Sequence, residues 1–180
     1  MDLYNTLLIF LMTIFLAAIA SIVIQTIFNG ISPMPSTNRI RTEMLKLAYE
    51  LPIPNNIIDL GSGWGNLSFA FSRAFPLAKV IGYENSFIPY LFTVCLKFIF
   101  KYNNLQFYYQ NFLKISLRKA DLVVCYLFPG GMKRLNTKFE QELKPGAIVI
   151  SNTFALSEKQ PFKIVTINDI YHTKIYCYRF

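Results

Sequence analysis

The chain has 180 residues, 53% of them hydrophobic and 16% charged, with a formal net charge of +8. That length suits one domain of ordinary size or a small domain with an appendage, and the composition excludes both disorder and a coiled coil. The three cysteines, at positions 95, 125 and 177, form no C-x-x-C pair, and His172 is the single histidine. These counts argue against a disulfide scaffold, a zinc cluster and a Ser-His-Asp triad, so no metal is expected and a reducing compartment is.

No residue from Leu3 to Asn38 is charged, and residues 3–28 are almost wholly apolar. A helix over residues 3–28 would reach about 39 Å against a hydrocarbon core of about 30 Å, so the segment reads as a transmembrane anchor occupying residues 1–29. A buried core helix is one rival reading, although such helices are usually shorter and carry a polar face. A cleaved signal peptide is another, with Ala18-Ile19-Ala20 resembling a cleavage site. Against cleavage, Asp2 precedes the apolar run, no Lys or Arg does, and the run continues past Ser21. Arg39, Arg41 and Lys46 follow the run, which by the positive-inside rule places the remainder on the cytoplasmic side of a single-pass protein.

The breakers Gly30, Pro33 and Pro35 mark residues 30–37 as a linker to a domain over residues 38–180. All 18 Lys and Arg lie beyond it with nine of the 10 Asp and Glu, a formal excess of +9. Such a surface suits an anionic partner, either a lipid face or a nucleic acid.

Elements then follow in alternation. Asn38 can cap a helix over residues 39–51, with Ile40, Met44, Leu47 and Leu51 on one face. Ile57–Leu60 reads as a buried strand, residues 66–75 as a helix ended by Pro76, and Lys79–Glu84 as a second strand. A helix over residues 87–102 precedes a strand at Leu105–Tyr109, and Ala120–Leu127 gives a fourth. A helix over residues 132–143 leads through Lys144-Pro145-Gly146 to a strand at Ala147–Ser151. Two β-rich stretches, 162–167 and 174–180, have no helix between them, so one of them should run antiparallel. The alternation predicts an α/β domain with a mostly parallel sheet covered on both faces.

The chemistry gathers at Asp59-Leu60-Gly61-Ser62-Gly63-Trp64-Gly65, between the first strand of that domain and its next helix. Ligands of open α/β sheets bind outside the carboxyl ends of the strands, where this turn lies. Its spacing is G-x-G-x-G, not the G-x-G-x-x-G of dinucleotide folds. Glu84, about 20 residues on, ends the second strand and is placed to accept both hydroxyls of a ribose. Alone, Asp59 could be a turn aspartate and Glu84 a strand-end charge; their joint spacing favours a nucleoside cofactor.

Loop and acid together resemble the class I S-adenosylmethionine-dependent methyltransferases, over residues 38–180. The resemblance implies a Rossmann-like seven-stranded sheet and S-adenosylmethionine as cofactor. Asp59 would orient the methionine end, Gly61, Ser62 and Gly63 would form the wall against the cofactor, and Glu84 would hold the ribose. Asn111 matches the position of an Asp that contacts the adenine amino group. The layout is also similar to that of a group of membrane-anchored protein-lysine methyltransferases, through Pro35-Ser36-Thr37, Gly82-Tyr83-Glu84, Asn111-Phe112-Leu113-Lys114 and Leu127-Phe128-Pro129-Gly130-Gly131-Met132. By that likeness Thr37 lies near the methionine carboxylate, although as a residue preceding a helix it can simply cap it. Trp64 and Asn111 depart from the group's usual residues.

The expected activity is methylation of a lysine in a protein at or in the membrane, with residues 3–28 as the membrane contact. A lipid, quinone or other small amphiphile is the alternative substrate, and a non-catalytic binding module with the same fold is the alternative class. Tyr126, at the end of the fourth strand, could line the substrate pocket or belong to the core. A nucleic-acid substrate is disfavoured, because the chain has no appended RNA-binding domain and no Asn/Asp-Pro-Pro-Tyr/Phe motif. Pro129, His172 and Cys125 read as structural or incidental.

Overall fold

The computed structural model describes residues 3–29 and 36–180, with the backbone alone for residues 14, 17, 18, 22 and 24–29. The apolar N-terminal segment forms one helix, α1 (Leu3–Asn29), in which the Thr13 hydroxyl donates to the Ile9 carbonyl one turn back, at 2.8 Å. The expected membrane crossing is corrected. Among the described residues no helix is long and apolar enough to cross a membrane. The single-pass placement with a cytoplasmic domain falls with it. Most of the expected linker, residues 30–35, lies outside the described residues.

From residue 38 the alternation of elements is as the patterning predicts. Helices α2 (Asn38–Tyr49), α3 (Asn66–Ala74), α4 (Phe87–Ile99) and α5 (Pro129–Glu142) alternate with strands β1 (Asn56–Leu60), β2 (Lys79–Glu84), β3 (Leu105–Tyr109), β4 (Leu122–Cys125) and β5 (Ile148–Asn152). Strands β6 (Lys163–Thr166) and β7 (Lys174–Arg179) follow. All seven form one sheet in the order β3-β2-β1-β4-β5-β7-β6. The first five are parallel, whereas β7 runs antiparallel to both β5 and β6. The reversal between β1 and β4 opens a crevice at the carboxyl edge.

Two cores flank the sheet. On one face Met44 and Leu47 of α2 and Phe71 of α3 pack on Ile57, Val80, Val124, Ile150 and Ile175. On the other, Met132, Leu135 and Phe139 of α5 pack on Ile58, Leu60, Val123, Val149 and Tyr178. Alternate strand residues therefore feed opposite cores, as the period-2 pleat requires. Truncating Phe71 or Phe139, both fully buried, to alanine would cost about 3–5 kcal/mol.

Local chemistry fixes the element ends. Thr37, in extended conformation, caps α2 through its hydroxyl, which accepts the Ile40 N–H, and Asn38 is the first helical residue instead of the cap. Pro129 stands at the first turn of α5, where its missing N–H costs nothing. That helix begins three residues earlier than its apolar pattern indicates. At the opposite edge of the sheet, Asp121 accepts the N–H groups of Asn55 and Asn56 and pairs with Lys144. These contacts hold the carboxyl below its usual range, against a desolvation that raises it.

Candidate functional site

The loop after β1 is bent by its own backbone. The N–H groups of Gly61 and Ser62 both donate to the Tyr83 carbonyl, at 2.9 and 3.0 Å, and Gly65 N–H donates to Ser62 O at 2.8 Å. Gly61 has φ +72°, and a Cβ there would stand 2.7 Å from Leu127 Cδ2. Both dihedral and contact demand glycine at that point. The chain thus crosses the ends of β1 and β2 with its backbone facing the crevice and enters α3.

Two acids occupy this edge. Glu84, 5% exposed, accepts Gly63 N–H on Oε2 and Ser86 N–H on Oε1, each at 2.7 Å. Each oxygen keeps a lone pair for a further donor such as a ribose hydroxyl. Asp59 is buried and accepts the Ser68 hydroxyl at 2.6 Å. Burial pushes its carboxyl up to about 7; the Ser68 hydrogen bonds work against this and the Glu84 charge adds to it.

At the end of β3, Asn111 caps a single 3-10 turn, Phe112–Lys114, its Oδ1 accepting Leu113 N–H at 2.9 Å. An aspartate would cap the turn in the same way, so asparagine leaves the local fold unchanged. Asp59, the glycine loop, Glu84 and Asn111 therefore line the ends of three adjacent strands. Thr37 is exposed and is engaged as the α2 cap. Tyr126 is half-buried, and its ring lies parallel to that of Phe154, at 11° with centroids 6.3 Å apart. The Trp64 ring meets Phe92 edge-on.

Ser68, bonded to Asp59, Phe154, whose ring lies parallel to Tyr126, and the buried Asn152 are the neighbours of these residues that sequence reading misses. Ser68 lies on a helix face set by packing, Asn152 is the last residue of β5 and Phe154 follows it, with no glycine or acid to draw attention. Cys125 is a core residue, as its apolar strand implies, with its thiol pushed up to about 12 by burial.

The edge fits a nucleoside cofactor. Ser62 Oγ is buried without a hydrogen-bond partner among the described residues, inside a loop built on positive-φ glycines and beside a carboxylate with spare acceptor capacity. Such an orphaned hydroxyl calls for a ligand group.

Strand order and glycine loop together define a class I methyltransferase, an enzyme fold that uses S-adenosylmethionine. A sequence model of the ANTKMT methyltransferase domain matches residues 59–163, and the chain belongs to that family. It is 25% identical over 139 residues to a protein-lysine N-methyltransferase of Saccharolobus islandicus (strain REY15A), covering 76% of this chain and 84% of that one. It is 30% identical over 115 residues to the adenine nucleotide translocase lysine N-methyltransferase of Mus musculus, covering 62% of this chain and 49% of that protein. The chain thus spans about half the length of the mouse relative. Among solved structures, an RNA methyltransferase from Salinibacter ruber in complex with S-adenosyl-L-homocysteine superimposes with a TM-score of 0.72 at 22% identity, over 81% of this chain and 93% of that one. At that identity the likeness concerns the fold.

Proposed function

We propose that this protein transfers a methyl group from S-adenosylmethionine to the side-chain amine of a lysine in a protein substrate. The observation that carries this reading is the likeness to two lysine methyltransferases, joined to an aromatic pair, Tyr126 and Phe154, beyond the strand end next to the glycine loop. The bound cofactor supplies an electrophilic methyl on a sulfonium. The protein's part is alignment and desolvation.

In this reading Asp59 holds the amino end of the donor, Gly61, Ser62 and Gly63 wall its middle, Glu84 takes the ribose hydroxyls and Asn111 the adenine edge. Thr37, at the start of α2, borders the carboxylate end. A lysine ammonium has no lone pair until it loses a proton, and its ordinary pKa of about 10.4 makes the free amine scarce at neutral pH. Aromatic walls disfavour the charged form and so promote release of that proton to water before attack. The same ring faces then hold the methylated ammonium by cation–π contact.

The test is calorimetry of S-adenosylmethionine with the whole chain and with Glu84→Ala, followed by incubation of labelled donor with total cell protein. Binding that the variant loses, and label recovered as methyl-lysine after hydrolysis, are the expected results. Label found only in chloroform-extractable material would overturn the protein-lysine reading in favour of a small amphiphile. A folded chain that binds no donor would overturn catalysis itself.

A further inference from the structure

The row of residues one pleat beyond Asp59 contains a buried amide that the cofactor reading leaves unused. Asp59 is in register with Val124, and Val124 with Ile150. Two residues further along each chain come Gly61 and Tyr126, each just past the end of its strand, and Asn152, the last residue of β5. Asn152 is fully buried. Its Oδ1 accepts the Thr153 hydroxyl at 3.0 Å, and its Nδ2 has no partner among the described residues.

The turn that follows is built around this amide. Thr153 has φ +67°, a conformation rare for a β-branched residue and found where a site requires it. Its N–H donates to the Lys174 carbonyl at 2.8 Å, Phe154 N–H donates to the Asn152 carbonyl at 2.8 Å, and the Ser151 hydroxyl donates to the Phe154 carbonyl at 2.6 Å. These bonds swing the Phe154 ring parallel to Tyr126. A buried amide with one half unsatisfied therefore sits in the turn that builds the aromatic pair.

We infer that Asn152 is a substrate-binding residue that receives the lysine amine between Tyr126 and Phe154, a role resting on the lysine methyltransferase reading above. Either face of the amide suits the site, because oxygen and nitrogen are interchangeable by a half-turn about the last side-chain bond. Turned over, Nδ2 donates to the Thr153 oxygen, and Oδ1 stands at the position without a partner. There it accepts one N–H of the amine and directs the nitrogen lone pair away from itself. A neutral carboxamide does this without adding a negative charge that would stabilise the ammonium. A carbon nucleophile offers no such donor, and a hydroxyl that gives up its one proton on reaction has none left, so the residue favours amines.

The test compares the full-length chain with Asn152→Leu and Asn152→Asp, with poly-L-lysine as probe. Leucine has similar shape and removes the unsatisfied group, and the half-buried Thr153 hydroxyl that loses its acceptor can turn to water, so the melting temperature should be unchanged or raised. KM for poly-L-lysine should rise at least tenfold, with the donor dissociation constant within twofold of wild type. Aspartate keeps an acceptor oxygen and should keep KM within threefold. The inference is overturned if Asn152→Leu keeps its KM, or if it melts lower or fails to fold, since the amide is then structural. If the unaltered chain binds donor yet methylates no lysine, the proposed function fails first, and the two failures are told apart by the wild-type assay alone.

Discussion

Glu84 and Gly63 are joined by a 2.7 Å hydrogen bond, from the glycine N–H to Oε2, across two strand ends. The acid expected to hold a ribose thus also holds the loop that faces it. In the proposed function, cofactor affinity and loop stability are therefore linked through one carboxylate. Glu84→Ala frees two backbone donors, those of Gly63 and Ser86, at a cost of about 2 kcal/mol in folding. Glu84→Gln retains one acceptor and should lose less stability. Both should lose at least tenfold in donor affinity, read by calorimetry beside thermal melts.

Gly61→Ala tests the bend. The new Cβ would meet Leu127 Cδ2 at 2.7 Å in a backbone of φ +72°, adding about 1–2 kcal/mol of left-handed strain to about 1–3 kcal/mol of overpacking. Adding Leu127→Ala should recover part of the packing loss and none of the dihedral loss, while opening its own cavity. Urea unfolding of the two variants separates these effects.

Asp59 sets a pH dependence of stability. Its folded pKa is raised from 3.8 to about 7, so the folded state favours the neutral acid. Its contribution is fully present below pH 3.8 and is lost as pH rises through 7. The free energy of unfolding should therefore fall between about pH 4 and 7 relative to Asp59→Asn, by about 4 kcal/mol at most, and the melting temperature with it. Asp121 and Glu142, whose pKa values are lowered, act oppositely: their contribution is lost as pH falls below the ordinary carboxylate range. A pH series of melts on both proteins checks the two limbs.

Donor binding should follow the same titration. In the proposed function a cationic amine near Asp59 favours the carboxylate, so affinity for S-adenosylmethionine should tighten from pH 5 to 7, below the ordinary α-amino pKa of about 7.7–8.0, with proton release. Calorimetry in two buffers of different ionisation enthalpy measures the protons, and Asp59→Asn should release none.

Tyr126→Ala should lower turnover of a lysine substrate about tenfold, with donor affinity within threefold, whereas Tyr126→Phe keeps the ring face and most of the activity. Steady-state kinetics beside donor titration distinguishes the two. Equal losses in both variants would assign the role to the hydroxyl.

The fold was legible from residue 38 onward because alternation, turn residues and apolar runs coincide there. Lys79–Glu84 and Leu105–Tyr109 begin and end where the sequence places them, the first stopped by Asn85 and the second held between Asn104 and Gln110. The loop and Glu84 were legible because glycines and a strand-end acid carry their own spacing. Asn152 and Phe154 were not, since the roles proposed for them rest on the register between β4 and β5 and on a turn around a positive-φ threonine. The α1 segment misled in the other direction. Apolar content and length predict a crossing, yet among the described residues no helix meets both conditions.

The position of β7 between β5 and β6 bears on how the sheet is assembled during synthesis. Strands β1 to β5 can pair in parallel as they emerge from the ribosome, but one side of β5 stays an open edge until residues 174–179 have been made. Its Ile148, Val149 and Ile150 then form a sticky ladder on the nascent chain. The Tyr178 hydroxyl also accepts Leu156 N–H at 2.9 Å, so the stretch after Phe154 is fastened only at that moment. The nascent chain therefore acquires its glycine loop early and the fastening beside its aromatic pair late. A ribosome paused before β7 would display a half-built sheet, at risk of pairing with a neighbour.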